Sequence, residues 1–292
     1  MGGQPAGDGF AGITGDLVDG RFSEKEAKPI ANQNSKLLRV RLGEPFMARQ
    51  GAMVAYQGNV DFAFEGGGAS KFIKKALTGE GLPLMRCQGQ GDVFLAERAY
   101  DVHLLNLNNS GLSISGKNVL AFSSSLDWNI ERVKGGSIAT GGLFNTTLRG
   151  TGWVALTTDG PPVVLNAAEA PTFADTNAVV AWSANLQWNI ERVRGGSMAA
   201  GGLFNTTLRG TGWVAITTDG DPVVLDAQEA PTFADANALV AWSVHLQTGI
   251  KSSFTAGSLI GRGSGEAFQV AFTGPGFVIV QPSEGYVAPP TA

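Results

Sequence analysis

Charge is scarce in this sequence. Asp, Glu, Lys and Arg make up 16% of the 292 residues and leave a formal net charge of −4, where an average soluble protein is about one-quarter charged. That balance excludes the basic footprint that non-specific nucleic-acid binding requires. Cysteine is nearly absent: Cys87 is the only one, so no disulfide can form within the chain, and a reducing, cytoplasmic setting is expected. With His103 and His245 as the only histidines, no triad or metal cluster can be assembled from His and Cys alone. No run approaches the ~18 apolar residues of a membrane-spanning helix. The opening MGGQPAGDGFAG has neither the basic nor the apolar region of a secretory signal, so none is expected.

Glycine and repetition are what the chain has in abundance. There are 41 glycines, with 43% hydrophobic residues, a content that suits a globular chain. The stretch GGLFNTTLRGTGWVA occurs at Gly141–Ala155 and again at Gly201–Ala215. Extended in both directions, Ala121–Val180 matches Ala181–Val240 at 47 of 60 positions without a gap. Fainter copies flank this duplication. Gly-x-Gly pairs begin at Gly89, Gly150, Gly210 and Gly274, and upstream of each stands a relative of AVVAWSANLQWNI. Four related units of about 60 residues follow, an internal period that dictates the fold before anything else.

Each unit has the two-residue period of half-buried strands. Leu126, Trp128 and Ile130 alternate with Asp127 and Asn129, as Val60, Phe62 and Phe64 do with Asp61 and Ala63. Gly58-Asn59, Ser123 to Ser125 and Ser183 to Asn185 are expected to turn hairpins, as are Asp159-Gly160 and Asp219-Gly220 between apolar runs. The expected fold is all-β, an antiparallel β-sandwich or prism of four units at about 34–115, 116–175, 176–235 and 236–285. Residues 1–33 read as a peripheral arm and 286–292 as a tail. SKFIKKAL, with Ser70 as N-cap, predicts one short helix near 70–78.

Three ordered motifs, NSKLLRVRLGEPFMARQGAMVAYQGNV, GLFNTTLRGTGWVALTTDG and FTAGSLIGRGSGEAFQVAFTGPGFVIVQPSE, together resemble the altered-inheritance-of-mitochondria protein 24 family over about 34–285. The resemblance implies an all-β fold similar to that of tryptophan RNA-binding attenuation protein, in three units where this chain has four. Yeast relatives are mitochondrial and linked to inner-membrane organisation. This Gly/Ala-rich chain is more similar to the bacterial members, for which the resemblance implies no defined activity.

Chemistry is thinly signalled. His103, in the strand-like DVHLLNL, and His245, in a turn, read as structural, and Cys87 as a buried, inert thiol. Gly111 to Lys117 fits G-x4-G-K, but Asn118 stands where Ser or Thr belongs and no helix follows. Asp159 and Asp219 suit turn geometry better than calcium binding. Arg132, Lys134 and Arg149, with their partners Arg192, Arg194 and Arg209, share their strands with Glu131 and Glu191, so RNA binding is not expected. After each Gly-x-Gly one strand face is apolar in every unit, Val154 and Leu156 for example. The other begins with Asp92, Trp153, Trp213 and Phe277. Because that position accepts Asp, it is expected near the surface, and Trp153, Trp213 and Phe277 become candidates for self-association. Lys71, Lys74 and Lys75 form a candidate membrane-surface patch. The expectation is a non-enzymatic, self-assembling scaffold without cofactor or metal, active as a homo-oligomer. A lipid-surface or small-ligand binding module is the alternative.

Overall fold

A computed structural model describes residues 27–65, 84–132, 144–192, 204–252 and 268–284. Among them the only helical element is a 3-10 turn at Gly116–Asn118, and every strand pairing is antiparallel. The chain is all-β. The helix expected near 70–78 lies outside the described residues.

The first duplicated stretch, with the strand before it, shows how the chain folds. β6 (Asp101–Ser115), β7 (Val119–Ser123), β8 (Asp127–Arg132) and β9 (Phe144–Thr158) form one group around β9. β6 pairs with β9 along nearly its whole length, from Asp101↔Thr158 to Ser115↔Asn145. On the other edge of β9, β7 lies against Val154–Leu156 and β8 against Phe144–Arg149. β7 and β8 are therefore successive halves of one bent strand, not the two arms of the hairpin expected at Ser123 to Ser125. Leu126 N–H donates to Ser123 O at 3.2 Å across that bend, and the equivalent turns close at Leu186 and Leu246.

The Gly-x-Gly pair sets the bend. Gly150 has φ +118°, and Gly210 and Gly212 have +119° and +152°, a region that L side chains rarely occupy. A Cβ on Gly212 would stand 2.7 Å from Ser183 Cβ. The buried side chain of Leu126, 3.6 Å from the place a Cβ on Gly150 would take, fills the inside of the corner.

The same arrangement recurs along the chain. β2 (Leu37–Leu42) and β3 (Phe46–Arg49) flank β5 (Leu84–Leu95) on one edge, and β4 (Met53–Glu65) flanks it on the other. β4 runs unbroken through Gly58-Asn59, so no hairpin turns there either. β10 (Pro162–Asn166) and β11 (Thr172–Asp175) flank β14 (Phe204–Arg209) and β15 (Trp213–Thr217), opposite β12 (Val179–Ser183) and β13 (Gln187–Arg192). β16 (Val223–Asp226) and β17 (Thr232–Asp235) do so for β20 (Phe268–Thr273) and β21 (Phe277–Val280), opposite β18 (Leu239–Ser243) and β19 (Gln247–Ser252).

Asp159-Gly160 makes no hairpin. Val154 already has Leu105 of β6 on one side and Phe122 of β7 on the other. With both edges of β9 taken, the chain after Thr158 crosses over and β10 pairs with β15 instead, Val163 opposite Ile216. A Cβ on Gly160 would collide with the Thr218 carbonyl oxygen, so glycine is what lets the crossing pass. The expected peripheral arm also ends earlier than residue 33, because β1 (Ile30–Asn34) pairs with β2.

Successive groups join by strand pairing, with Met47 of β3 opposite Phe122, Ser113 of β6 opposite Trp182, and Phe173 of β11 opposite Trp242. The cores straddle these joints. Leu120, Ala121 and Ala155 complete a cluster built on Leu38, Phe46 and Cys87. Val240, Ala241 and Ile279 likewise complete one built on Val179, Trp182 and Val214.

Deleting Ala121 through Val180 would join Leu120 to Ala181 and give β6 the β14–β15 strand in place of β9, with almost the same residues. The shortened chain should unfold in one cooperative thermal transition with β-type circular dichroism. A molten or aggregated product would refute this modularity.

Candidate functional site

A cavity of about 820 Å³ opens where β6 leaves β12. β6 and β9 form one wall, and β12, β15 and β10 the other. The lining is mostly apolar, with Leu105, Leu107 and Leu112 facing Val164, Val180 and Trp213. The polar side chains are His103 and Thr158 toward one end, Asn106 along β6, and Ser110, Arg149, Ser183 and Asn185 toward the other. This volume and composition suit a small apolar ligand with a polar end.

His103 Nε2 lies 2.9 Å from Thr158 Oγ1. Burial pushes the imidazole below its usual pKa, against a weaker upward pull from Asp101. The ring is thus neutral near pH 7. Asp101 does not complete a hydroxyl–imidazole–carboxylate relay, because its carboxylate is 2.7 Å from Lys36 Nζ, which holds it below the usual range. Among the described residues no group of three His, Cys, Asp or Glu could hold a metal ion. Cys87 is fully buried, and burial pushes its thiol up to about 12, so thiolate chemistry is closed to it. His245 is exposed in the turn after β18.

The candidate association residues are not brought into one patch. Trp153, Trp213 and Phe277 are each half-buried and pack against three different cores. Trp153 packs against Phe46 with the rings tilted by 54° and their centroids 5.6 Å apart, and Trp213 walls the cavity. The surface position inferred from Asp92 is corrected as well. Its side chain is only 13% exposed and lies 3.4 Å from Arg41 Nε and 4.0 Å from the buried Arg39 guanidinium. Asp is accepted there because two arginines face it, not because water does. Lys71, Lys74 and Lys75 lie outside the described residues. The cavity had no signal in the sequence, since it arises where two strands part.

The family model described as Mitochondrial biogenesis AIM24 matches residues 29–201 and again 192–283. The chain belongs to this family. The second match begins inside the third unit, in keeping with a chain longer than one copy of the family pattern. The crystal structure of protein SPYM3_0169 from Streptococcus pyogenes is similar, with a TM-score of 0.53 and 24% identity, over 65% of this chain and 92% of that one. At that identity the likeness concerns the fold alone. Among curated proteins no relative matches. Among the described residues no helix is long and apolar enough to cross a membrane.

Two outcomes follow for this site. An apolar fluorescent probe such as anilinonaphthalene sulfonate should bind one per chain, and Leu105→Trp, which fills the cavity, should weaken it at least tenfold in a fluorescence titration. Trp153→Ala should cost about 2 kcal/mol, roughly half of a full core truncation. Trp213→Ala, beside open space, should cost less in denaturant unfolding, and the reverse order would refute this packing.

Proposed function

We propose that this AIM24-family chain is a non-enzymatic, self-associating scaffold of the cytoplasm. The observation that carries the reading is where large apolar side chains stay exposed. Val54 and Tyr56 on β4, Val164 on β10, Val223 and Val224 on β16 and Phe233 on β17 are 46–63% exposed. All six sit on strands at sheet margins. Apolar strand margins are association surfaces unless something covers them. Scarce charge supports the same reading, because little like-charge repulsion opposes contact between copies. The inert, buried Cys87 is in keeping with a reducing compartment.

The cavity favours a second reading, a binding module for a small apolar ligand. The lysine patch would add a lipid surface to that module. An enzyme is the least supported, since the His103–Thr158 pair has no orienting carboxylate.

Light scattering after size exclusion tests the first reading. At micromolar concentration and moderate salt the wild type should exceed the 30.3 kDa of one chain. A mass of one chain at every concentration would end it. Sedimentation with anionic liposomes, lost on changing Lys71, Lys74 and Lys75 to Glu, would favour the module instead.

A further inference from the structure

The cavity between β6 and β12 has two polar ends, and they differ in kind. At one end His103 Nε2 and Thr158 Oγ1 satisfy each other at 2.9 Å, and burial disfavours a charge on the ring. At the other end stands Arg149, the one fully charged side chain among the lining residues, and no Asp or Glu lines the cavity. Further donors surround it. Ser183 Oγ accepts from Trp213 N–H at 3.1 Å and keeps its own proton to give. Asn185 Nδ2 uses one of its two N–H groups on Thr211 O at 2.8 Å, and Ser110 stands at the exposed rim.

The place of Arg149 is set by the backbone beneath it. Arg149 is opposite Gly111 in the β6–β9 ladder, and its Nη1 lies 3.1 Å from where a Cβ on Gly111 would stand. That Cβ would also be 2.9 Å from Ala184 Cβ, because Ala184 N–H donates to Gly111 O at 3.1 Å and holds the end of β12 against β6. Glycine at 111 and alanine at 184 thus let the guanidinium lie across the joint, at the cavity mouth. At the following joint the corresponding bond runs from Val244 N–H to Pro171 O, so both small residues are replaced there. The guanidinium makes one long hydrogen bond, 3.5 Å to Ala184 O. Asp127 and Glu131 lie on its far side in a separate hollow. Among the described residues no carboxylate is in ion-pair contact with it.

We propose that the cavity holds a single-chain amphiphile with an anionic head, a long-chain carboxylate. Its head lies against Arg149, Ser183 and Asn185, and its tail runs along Leu107 and Leu105 toward His103. This rests on the reading of the cavity as a binding module for a small apolar ligand, and names the ligand class. A carboxylate matches this mouth because guanidinium, amide and hydroxyl all have protons to donate, and its two oxygens only accept. A cationic head would meet Arg149 without a lining carboxylate to offset it.

Displacement of anilinonaphthalene sulfonate from the full-length protein at neutral pH tests this. The probes are octanoate, decanoate and dodecanoate, with decanol and decyltrimethylammonium, each below its micellar concentration. Each step of two methylenes should tighten carboxylate binding roughly tenfold. Decanoate should bind about fivefold more tightly than decanol, a modest factor because Arg149 is exposed and its charge screened, and the ammonium should bind weakest. Arg149→Met, which keeps the length and removes the charge, should bring decanoate down to decanol and leave decanol unchanged. Leu105→Trp should weaken every chain.

Equal binding of decanoate and decanol by the wild type would overturn the anionic head while leaving the apolar-ligand reading standing. A fluorescent probe that binds but is displaced by no chain would overturn the ligand class alone. A preference for decanoate that survives Arg149→Met would remove Arg149 from the site. Failure of the fluorescent probe itself to bind, or displacement indifferent to Leu105→Trp, would overturn both the proposal and the reading beneath it. Should Arg149→Met unfold by circular dichroism, the wild type gives an independent answer. Its preference for decanoate over decanol should vanish in molar salt, and a preference that salt leaves intact would overturn the ionic contact.

Discussion

Everything in this structure hangs on a strand that must change direction halfway. A straight strand keeps one direction; a strand with a corner at Gly-x-Gly runs in two, and its neighbours must bend with it. The positive φ values at Gly150, Gly210 and Gly212 make the corner affordable only for glycine. Leu126, Leu186 and Leu246, each 6% exposed or less, then pack beneath the bend. Once the central strand is bent, the apolar faces of its two halves point into separate spaces. Among the described residues, three of the four cores therefore draw buried residues from at least two neighbouring groups, and the fourth, around Trp242 and Phe272, lies within β16–β21 with Phe173 packed on it from the group before.

How much of this was legible in the sequence follows from what each signal is about. Two-residue periodicity reports burial on a pleated face, and it found the strands. Val154 and Val214 are 0% exposed, as their apolar counterparts in all four units imply. Pairing is another matter, because it depends on which edges are vacant. Asp159-Gly160 has hairpin chemistry, yet β9 has no free edge for a returning strand, and the dipeptide becomes a crossing. Gly58-Asn59 likewise marks a bend that looks, in sequence, like a turn. Asp92 misled for a related reason: a carboxylate is read as solvated unless its partner is known, and Arg39 and Arg41 lie on a strand fifty residues away.

The candidate site was the least legible part. The cavity is bounded by residues with no common motif, and its shape comes from the divergence of β6 and β12 beyond Ser183. Membership of the AIM24 family, by contrast, could be read from ordered motifs, one of which contains the corner strand β9.

The duplication also shapes how the chain finds its fold. β6 is paired with β9 at thirteen positions, and β14–β15 presents nearly the same side chains in the same order. The ladder itself cannot distinguish the two suitors; connectivity must. Closing β6 onto β9 spans 29 residues from Ser115 to Phe144, and closing it onto β14 spans 89, to Phe204. The difference in loop entropy is only about 1 kcal/mol. Refolding from denaturant is therefore exposed to a misthreaded state with one whole unit looped out, slow to escape because its pairing is nearly native. Synthesis from the N-terminus avoids that competition, since β9 emerges and docks before its rival exists.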